Sequence, residues 1–208
     1  DGTTRWRVAP TAPGYLDRPL YPHRVDETVP DLFAVETDEL SGSVTLRALA
    51  ADGTALWTEA APAVPVMGDS AGAVVGEIPH PVTANPIGLA RFGGPVAAMP
   101  WQYASLGEVG RPAQGADGTI VAIEMVPGVQ TNGCPIGDRA VLVLDGATRQ
   151  VRARVPLPRS VVEFHAQWAT HPVFGHPCTS DRWEAAPVTT VPIVAEDGSA
   201  YLQVVQTT

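Results

Sequence analysis

The chain has 208 residues, a formal net charge of −9, 20 glycines and 21 prolines, and its 13 basic residues are all arginine. Mostly isolated arginines on an acidic chain exclude a nucleic-acid footprint, and no run of about 18 uncharged apolar residues is present to span a membrane. Glycine and proline at this density, with Val, Thr, Ala and Leu supplying most of the rest, predict many short strands joined by turns and exclude long helices.

Taken in chain order, the first element is a turn and strand, Asp1-Gly2-Thr3-Thr4-Arg5-Trp6. It has a close copy in Asp52-Gly53-Thr54-Ala55-Leu56-Trp57, at a spacing of 52 − 1 = 51. A looser copy starts at Asp145-Gly146-Ala147-Thr148, and 145 − 52 = 93 is about two such periods. Val44, Leu46 and Ala48 alternate with Thr45, Arg47 and Leu49 ahead of the second copy, and Ala140 to Leu144 precede the third. These are outer hairpins in which Asp-Gly supplies the positive-φ positions of a tight turn.

A second family of hairpins interleaves with the first: Pro65 to Val75 around Asp69, Pro112 to Val121 around Asp117, and Pro192 to Tyr201 around Asp197. Each places a proline a few residues before an Asp and follows it with an apolar strand, the pattern of an inner hairpin. With inner strands near 29 to 36 and a degenerate outer hairpin near 89 to 103, the two families alternate at a period of about 45 to 50, the length of a propeller blade. The pattern predicts an all-β chain: a β-propeller segment of four-stranded antiparallel blades running from 1 to 208, an incomplete set of about 3.5 to 4 blades. The stretches 79–111 and 157–187 depart from the period and read as loop insertions where partners bind. An open set of blades leaves strand edges unpaired, so residues before Asp1 and after Thr208, or a second chain, are expected to complete the ring.

These residues resemble the pyrroloquinoline-quinone-like propeller repeat, in which a strand, a turn of the form Asp-Gly-x-x-x-Trp and a further strand recur once per blade. The resemblance covers most of the chain outside the two insertions. It implies an extracytoplasmic setting, periplasmic, secreted or at the cell surface, and it implies that Trp6 and Trp57 pack between blades. Quinoprotein dehydrogenases share the repeat and hold their quinone with Ca²⁺, acidic ligands and a vicinal disulfide. This chain has no adjacent cysteine pair and no Glu, Asn and Asp ligands at matching positions, so the resemblance reaches the fold and not the enzyme. No cofactor is expected; Ca²⁺ or PQQ enters only under the enzyme reading.

Three groups of residues carry candidate chemistry. Gly68-Asp69-Ser70-Ala71-Gly72 matches the G-x-S-x-G nucleophile elbow, which needs a helix after the serine. The prolines and β-branched residues between Ala73 and Pro81 oppose one, so Ser70 reads first as a turn residue and only second as a hydrolase nucleophile. His165, His171, His176 and Cys178 present zinc-ligand chemistry, at spacings of six, five and two that lie outside the common structural-zinc patterns; a solvated loop is the competing reading. Cys134 and Cys178 lie in Gly/Pro-rich loop sequence, where a disulfide pins long connections if the compartment is oxidising; two free thiols are the alternative. The expected function is a non-catalytic propeller acting as an interaction or scaffold module, its partner another protein or the remaining blades. The alternative is a propeller enzyme, a quinoprotein-like dehydrogenase or a serine hydrolase using Ser70.

Overall fold

The computed structural model describes residues 7–10, 14–17, 19–22, 29–82, 85–94, 100–127, 137–157, 192–195 and 199–201. Among these residues every regular element is a strand, and the strands form antiparallel meanders joined in chain order. Two compact units result, one of residues 1–78 with 89–103 and the other of residues 79–88 with 104–208.

In the first unit, β1 (Gly14–Leu16), β2 (Leu32–Asp38), β3 (Val44–Leu49) and β4 (Ala55–Ala60) form one four-stranded sheet in that order. A second sheet follows in the order β5 (Val64–Gly68), β6 (Val74–Pro79), β7 (Pro86–Phe92) and β8 (Trp101–Ala104), its Pro79–Gly88 portion belonging to the other unit. The stretch 79–111 therefore carries two strands of a regular sheet. β7 and β8 fall where a degenerate outer hairpin is expected, near 89 to 103, although Gly88, Gly93 and Gly94 interrupt the apolar pattern around Leu89, Ala90 and Phe92.

Side chains on a strand alternate between faces, and the pairing of Phe33 with Ala48 with Trp57, and of Val35 with Leu46, sets one apolar face on the first sheet. That face closes on Val74, Ala90 and Phe92 of the second sheet to make a continuous core. Trp57 packs at its margin, 5.7 Å from the ring of Phe33. The indole is half-buried rather than wholly enclosed, because β4 is the outermost strand and its remaining residues are exposed. Trp6, its sequence copy, lies outside the described residues.

In the second unit, β9 (Ala113–Gln114), β10 (Thr119–Pro127), β11 (Gly137–Asp145) and β12 (Val151–Pro156) form a third four-stranded sheet, and β13 (Ile193–Val194) pairs with β14 (Ala200–Tyr201) in a two-stranded one. The first and third sheets agree residue by residue. Leu16 opposes Glu36 as Val109 opposes Glu124, and Leu20 opposes Phe33 as Ala113 opposes Val121, so both first strands carry one extra residue at the same place. Both fourth strands skip a partner at the same place too, between Ala48 and Leu49 and between Val143 and Leu144. Gly14 and Gly107 correspond as well: a Cβ on either would run into the carbonyl of the equivalent neighbour, Thr37 or Met125. Such bulges add local twist and bend, so their recurrence marks one architecture built twice.

The turns correct three expectations. At Asp52-Gly53 and Asp117-Gly118 only glycine has positive φ, 85° and 79°. Gly53 N–H bonds to the Ala50 carbonyl, and Gly118 N–H to that of Gly115, at 2.9 and 3.0 Å. This is a type I turn closed by a glycine bulge, and the Asp serves differently: its carboxylate accepts the N–H of Thr54 or Thr119, each at 2.9 Å. Asp145-Gly146 is a longer turn of another kind. Arg149 takes the left-handed position there (φ 60°), as Gly42 does (φ 69°) in the matching turn that starts at Asp38. Finally, Asp69 N–H bonds to the Ala73 carbonyl as Gly115 N–H does to that of Thr119, so Asp69 stands at the place of Gly115 and not of Asp117. The shared proline and aspartate of the inner hairpins concealed a two-residue offset.

Replacing Trp57 by Ala should cost about 3 kcal/mol, the low end for an indole because β4 leaves one side open. Its Nε1 is buried without a hydrogen-bond partner, so Trp57→Phe should retain more than half of the lost stability, since it removes an unsatisfied donor along with the ring area. Urea denaturation of the three proteins checks both, and a Phe variant as weak as the Ala variant would refute the account.

Candidate functional site

Three small clusters of charged residues lie among the described strands and turns. In the first unit, Asp69 and Arg91 form an ion pair with Nε to Oδ2 2.5 Å and side chains 2% and 6% exposed. The other oxygen of Asp69 accepts the N–H groups of Ala71 and Ala73 at 2.9 and 2.8 Å. The carboxylate thus holds the turn that contains Ser70. After this turn comes β6, a strand, where a nucleophile elbow requires a helix, and Gly72 at φ 79° closes the turn in the manner of Gly118. Ser70 sits on an ordinary hairpin turn.

The second cluster is repeated. Glu36 and Glu124 occupy one register position, since 124 − 36 = 88 and the residues paired at the two matching bulges, Leu32 with Leu49 and Ile120 with Leu144, give 120 − 32 = 88. Both carboxylates are buried, Glu124 completely. Glu36 pairs with Arg47 on β3 and Glu124 with Arg154 on β12, Nε to Oε2 2.7 Å in the latter. The arginine has changed strands: Arg47 lies opposite Thr58, and Leu142, at the place of Arg47, lies opposite Arg154. Glu124 also accepts Ser105 Oγ at 2.8 Å and the Leu106 N–H at 3.0 Å, which ties the segment after β8 to β10.

The third cluster is exposed. Arg152 reaches Asp145 at 2.7 Å, Thr119 Oγ1 at 2.7 Å and Asp117 at 3.6 Å. Arg152 holds the Asp145 carboxyl well down, at about 2 instead of 3.8, with help from the Thr148 N–H. The Thr119 hydroxyl and N–H lower that of Asp117. Every one of these carboxylates is engaged by a cation, a hydroxyl or a backbone N–H, and their chemistry is that of fastening strands and turns.

What the clusters leave open is the opposite face of the third sheet. There Val141 and Val143 on β11 pair with Val155 and Ala153 on β12. Val141, Val143 and Ala153 are half-buried and Val155 is 52% exposed. This aliphatic patch is the candidate functional surface. Sequence reading missed it because the valines looked like ordinary strand residues, and it missed Glu36 and Glu124 because their equivalence emerges only from the pairing register.

The remaining candidates, His165, His171, His176, Cys178 and Cys134, lie outside the described residues, as does most of the stretch 157–187. Among the described residues no three His, Cys, Asp or Glu side chains are grouped to hold a metal ion, and no helix is long and apolar enough to cross a membrane. Compared with known proteins, the chain matches no family model, no curated protein and no solved structure.

Breaking the buried pair with Arg91→Leu should cost about 3 to 5 kcal/mol, because Asp69 is left charged and enclosed. Adding Asp69→Asn, which keeps the turn's acceptor, should recover most of that loss; thermal melts in which the double variant is no better than the single one would contradict this.

The Asp145 carboxyl, depressed in the folded state, contributes stability that is complete above the ordinary carboxyl pKa near 4 and is lost as pH falls toward about 2. In an NMR titration Arg152→Ala should move the Asp145 midpoint upward toward 3.8. An unmoved midpoint would show that the Thr148 turn alone sets it.

Proposed function

We propose that the chain is a run of propeller blades serving as a non-catalytic interaction module outside the cytoplasm. The observation that carries this reading is a stacking contact that recurs in each unit separately. In the first, a Cβ on Gly68 of β5 would touch Pro22, 2.8 Å from its Cα. In the second, a Cβ on Gly115 would touch Val194 of β13, also at 2.8 Å. By register Pro22 corresponds to Gly115, two residues beyond Leu20 and Ala113, and Val194 corresponds to Gly68 through the turn bonds of Asp69 and Ala195. Each later meander thus meets the earlier one through the same pair of positions, as radial repetition of four-stranded blades requires. In this reading β1, β5, β9 and β13 are innermost strands, and β4, β8 and β12 are outermost.

The extracytoplasmic setting is supported by the resemblance to the quinone-type repeat and by Cys134 and Cys178 in Gly/Pro-rich sequence, where a disulfide between them would suit an oxidising compartment. A binding role suits a surface on which the clustered carboxylates make structural bonds beside a partly exposed aliphatic patch. The test is reconstitution with pyrroloquinoline quinone and Ca²⁺ followed by dye-linked oxidation of alcohols and sugars. No turnover above the quinone-free control is expected, and turnover would replace the scaffold by a dehydrogenase.

A further inference from the structure

We propose that, of the three described Asp-Gly turns, Asp52-Gly53 is the one at which the folded chain converts spontaneously to isoaspartate, and that Arg152 protects the other two, Asp117-Gly118 and Asp145-Gly146. Asp-Gly is the dipeptide in which this conversion meets least steric resistance, because glycine carries no side chain beside its nitrogen. That nitrogen attacks the carboxyl carbon of the Asp side chain. A C–N bond forms, the nitrogen gives up its proton and the carboxyl its hydroxyl, the two leave as water, and a five-membered imide results. A second water molecule then opens the imide. Opening at the main-chain carbonyl routes the chain through the former side chain, which adds one carbon to the backbone and frees an α-carboxylate. The attack needs a carboxyl group that is protonated and able to swing over the glycine nitrogen.

The nitrogen is held alike at the three turns: the glycine N–H donates to the carbonyl of Ala50, Gly115 or Gly118, at 2.9, 3.0 and 3.2 Å. The carboxylates are held differently. At Asp145 both oxygens are fastened, Oδ1 accepting the Ala147 and Thr148 N–H groups at 3.0 and 2.9 Å and Oδ2 the Arg152 guanidinium at 2.7 Å. At Asp117, Oδ1 accepts the Thr119 N–H at 2.9 Å and Oδ2 the Thr119 hydroxyl at 2.7 Å. Arg152 stands 3.6 Å from that carboxylate and fixes the hydroxyl by donating to it at 2.7 Å. One guanidinium thus restrains both turns. Asp52 is exposed and held by Thr54, with no ion pair among the described residues. By pairing, Val151 and Ala153 stand where Ala55 and Trp57 do, so the place of Arg152 is taken on β4 by Leu56. Charge works in the same direction as geometry. Arg152 is the main reason that the Asp145 carboxyl lies at about 2 instead of 3.8, and at about pH 5 such a shift makes the protonated fraction about sixtyfold smaller. An extra backbone carbon at residue 52 would fall in the turn leading into β4, where Trp57 packs on Phe33.

The test ages the full chain at about pH 5 and body temperature and follows isoaspartate site by site, by mass spectrometry of proteolytic peptides fragmented by electron transfer. Asp52 should convert faster than Asp117 and about tenfold faster than Asp145. Arg152→Leu, which copies the residue of the first sheet, should raise conversion at Asp145 about tenfold, raise it at Asp117 as well, and leave Asp52 unchanged. Arg152→Lys, which keeps a cation at that place, should restore most of the protection. Equal rates at the three sites of the unaltered chain, or a Lys variant as labile at Asp145 as the Leu variant, would overturn the proposal. So would a rise at Asp52 matching that at Asp145 in the Leu variant, since general loosening of the chain and not the lost guanidinium would then set the rates.

Discussion

One middle strand of each four-stranded sheet is buried on both faces over a run of residues. From Phe33 to Glu36, from Ile120 to Glu124 and from Gly88 to Phe92 every consecutive residue is enclosed, although alternate side chains point opposite ways. A strand of this kind is stable only when its sheet is covered twice, and burial at about 25 cal/mol per Å² of apolar surface is what drives the covering. Small residues make room for it. Gly14 and Gly107 let the first strand approach the second, and Gly93 lets the second sheet close on Trp57. The outermost strands lie at the end of this gradient, and β4 and β12 share one pattern of exposure with a single half-buried residue in the third position.

A charge placed inside such a sheet has to bring its own partners, because desolvating an isolated carboxylate costs far more than any single contact returns. The three sheets answer this differently at one position. Glu36 takes an arginine from the adjacent strand, and Glu124 takes one from the strand beyond together with Ser105 and a backbone N–H. Ile78, which the turn register places at the same point of the second sheet, needs no partner and joins the apolar core. The position is thus free to be ionic or apolar, provided the surroundings change with it. The same flexibility explains why the ion pair of the second sheet appears elsewhere, at the turn that Asp69 caps.

Most of the hairpins could be read from the sequence because their turns announce themselves chemically: Gly72 and Gly118 sit where a left-handed residue is needed. The two families of turns, outer and inner, correspond to the third-to-fourth and first-to-second connections. The registers were harder. Bulges beside Leu20, Ala113, Ala48 and Val143 shift the pairing by one residue with no compositional mark, and a single shift moves a side chain to the other face. Without the register, Glu36 and Glu124 are unrelated acids and Arg149 is an unremarked loop residue. The aliphatic patch was invisible for a further reason: whether a valine is core or surface depends on the cover it meets, which is a property of the assembled layers and not of the strand.

The edges complete the physical picture. An unpaired outer strand is a template for unwanted pairing unless charge, proline or a bulge blunts it. On β4 the bulge after Ala48 and the exposed Glu59 do this, and on β12 Arg152, Arg154 and Pro156 do it with the matching bulge after Val143. Both arginines of β12 project from the face that carries Glu124 and the Asp117–Asp145 turn cluster, so the protection is one-sided. The other face of the same strand keeps Val155, an apolar side chain about half exposed where the first sheet spends a glutamate. A strand that guards its edge with charge, proline and a bulge resists strand-to-strand pairing even where its second face stays aliphatic.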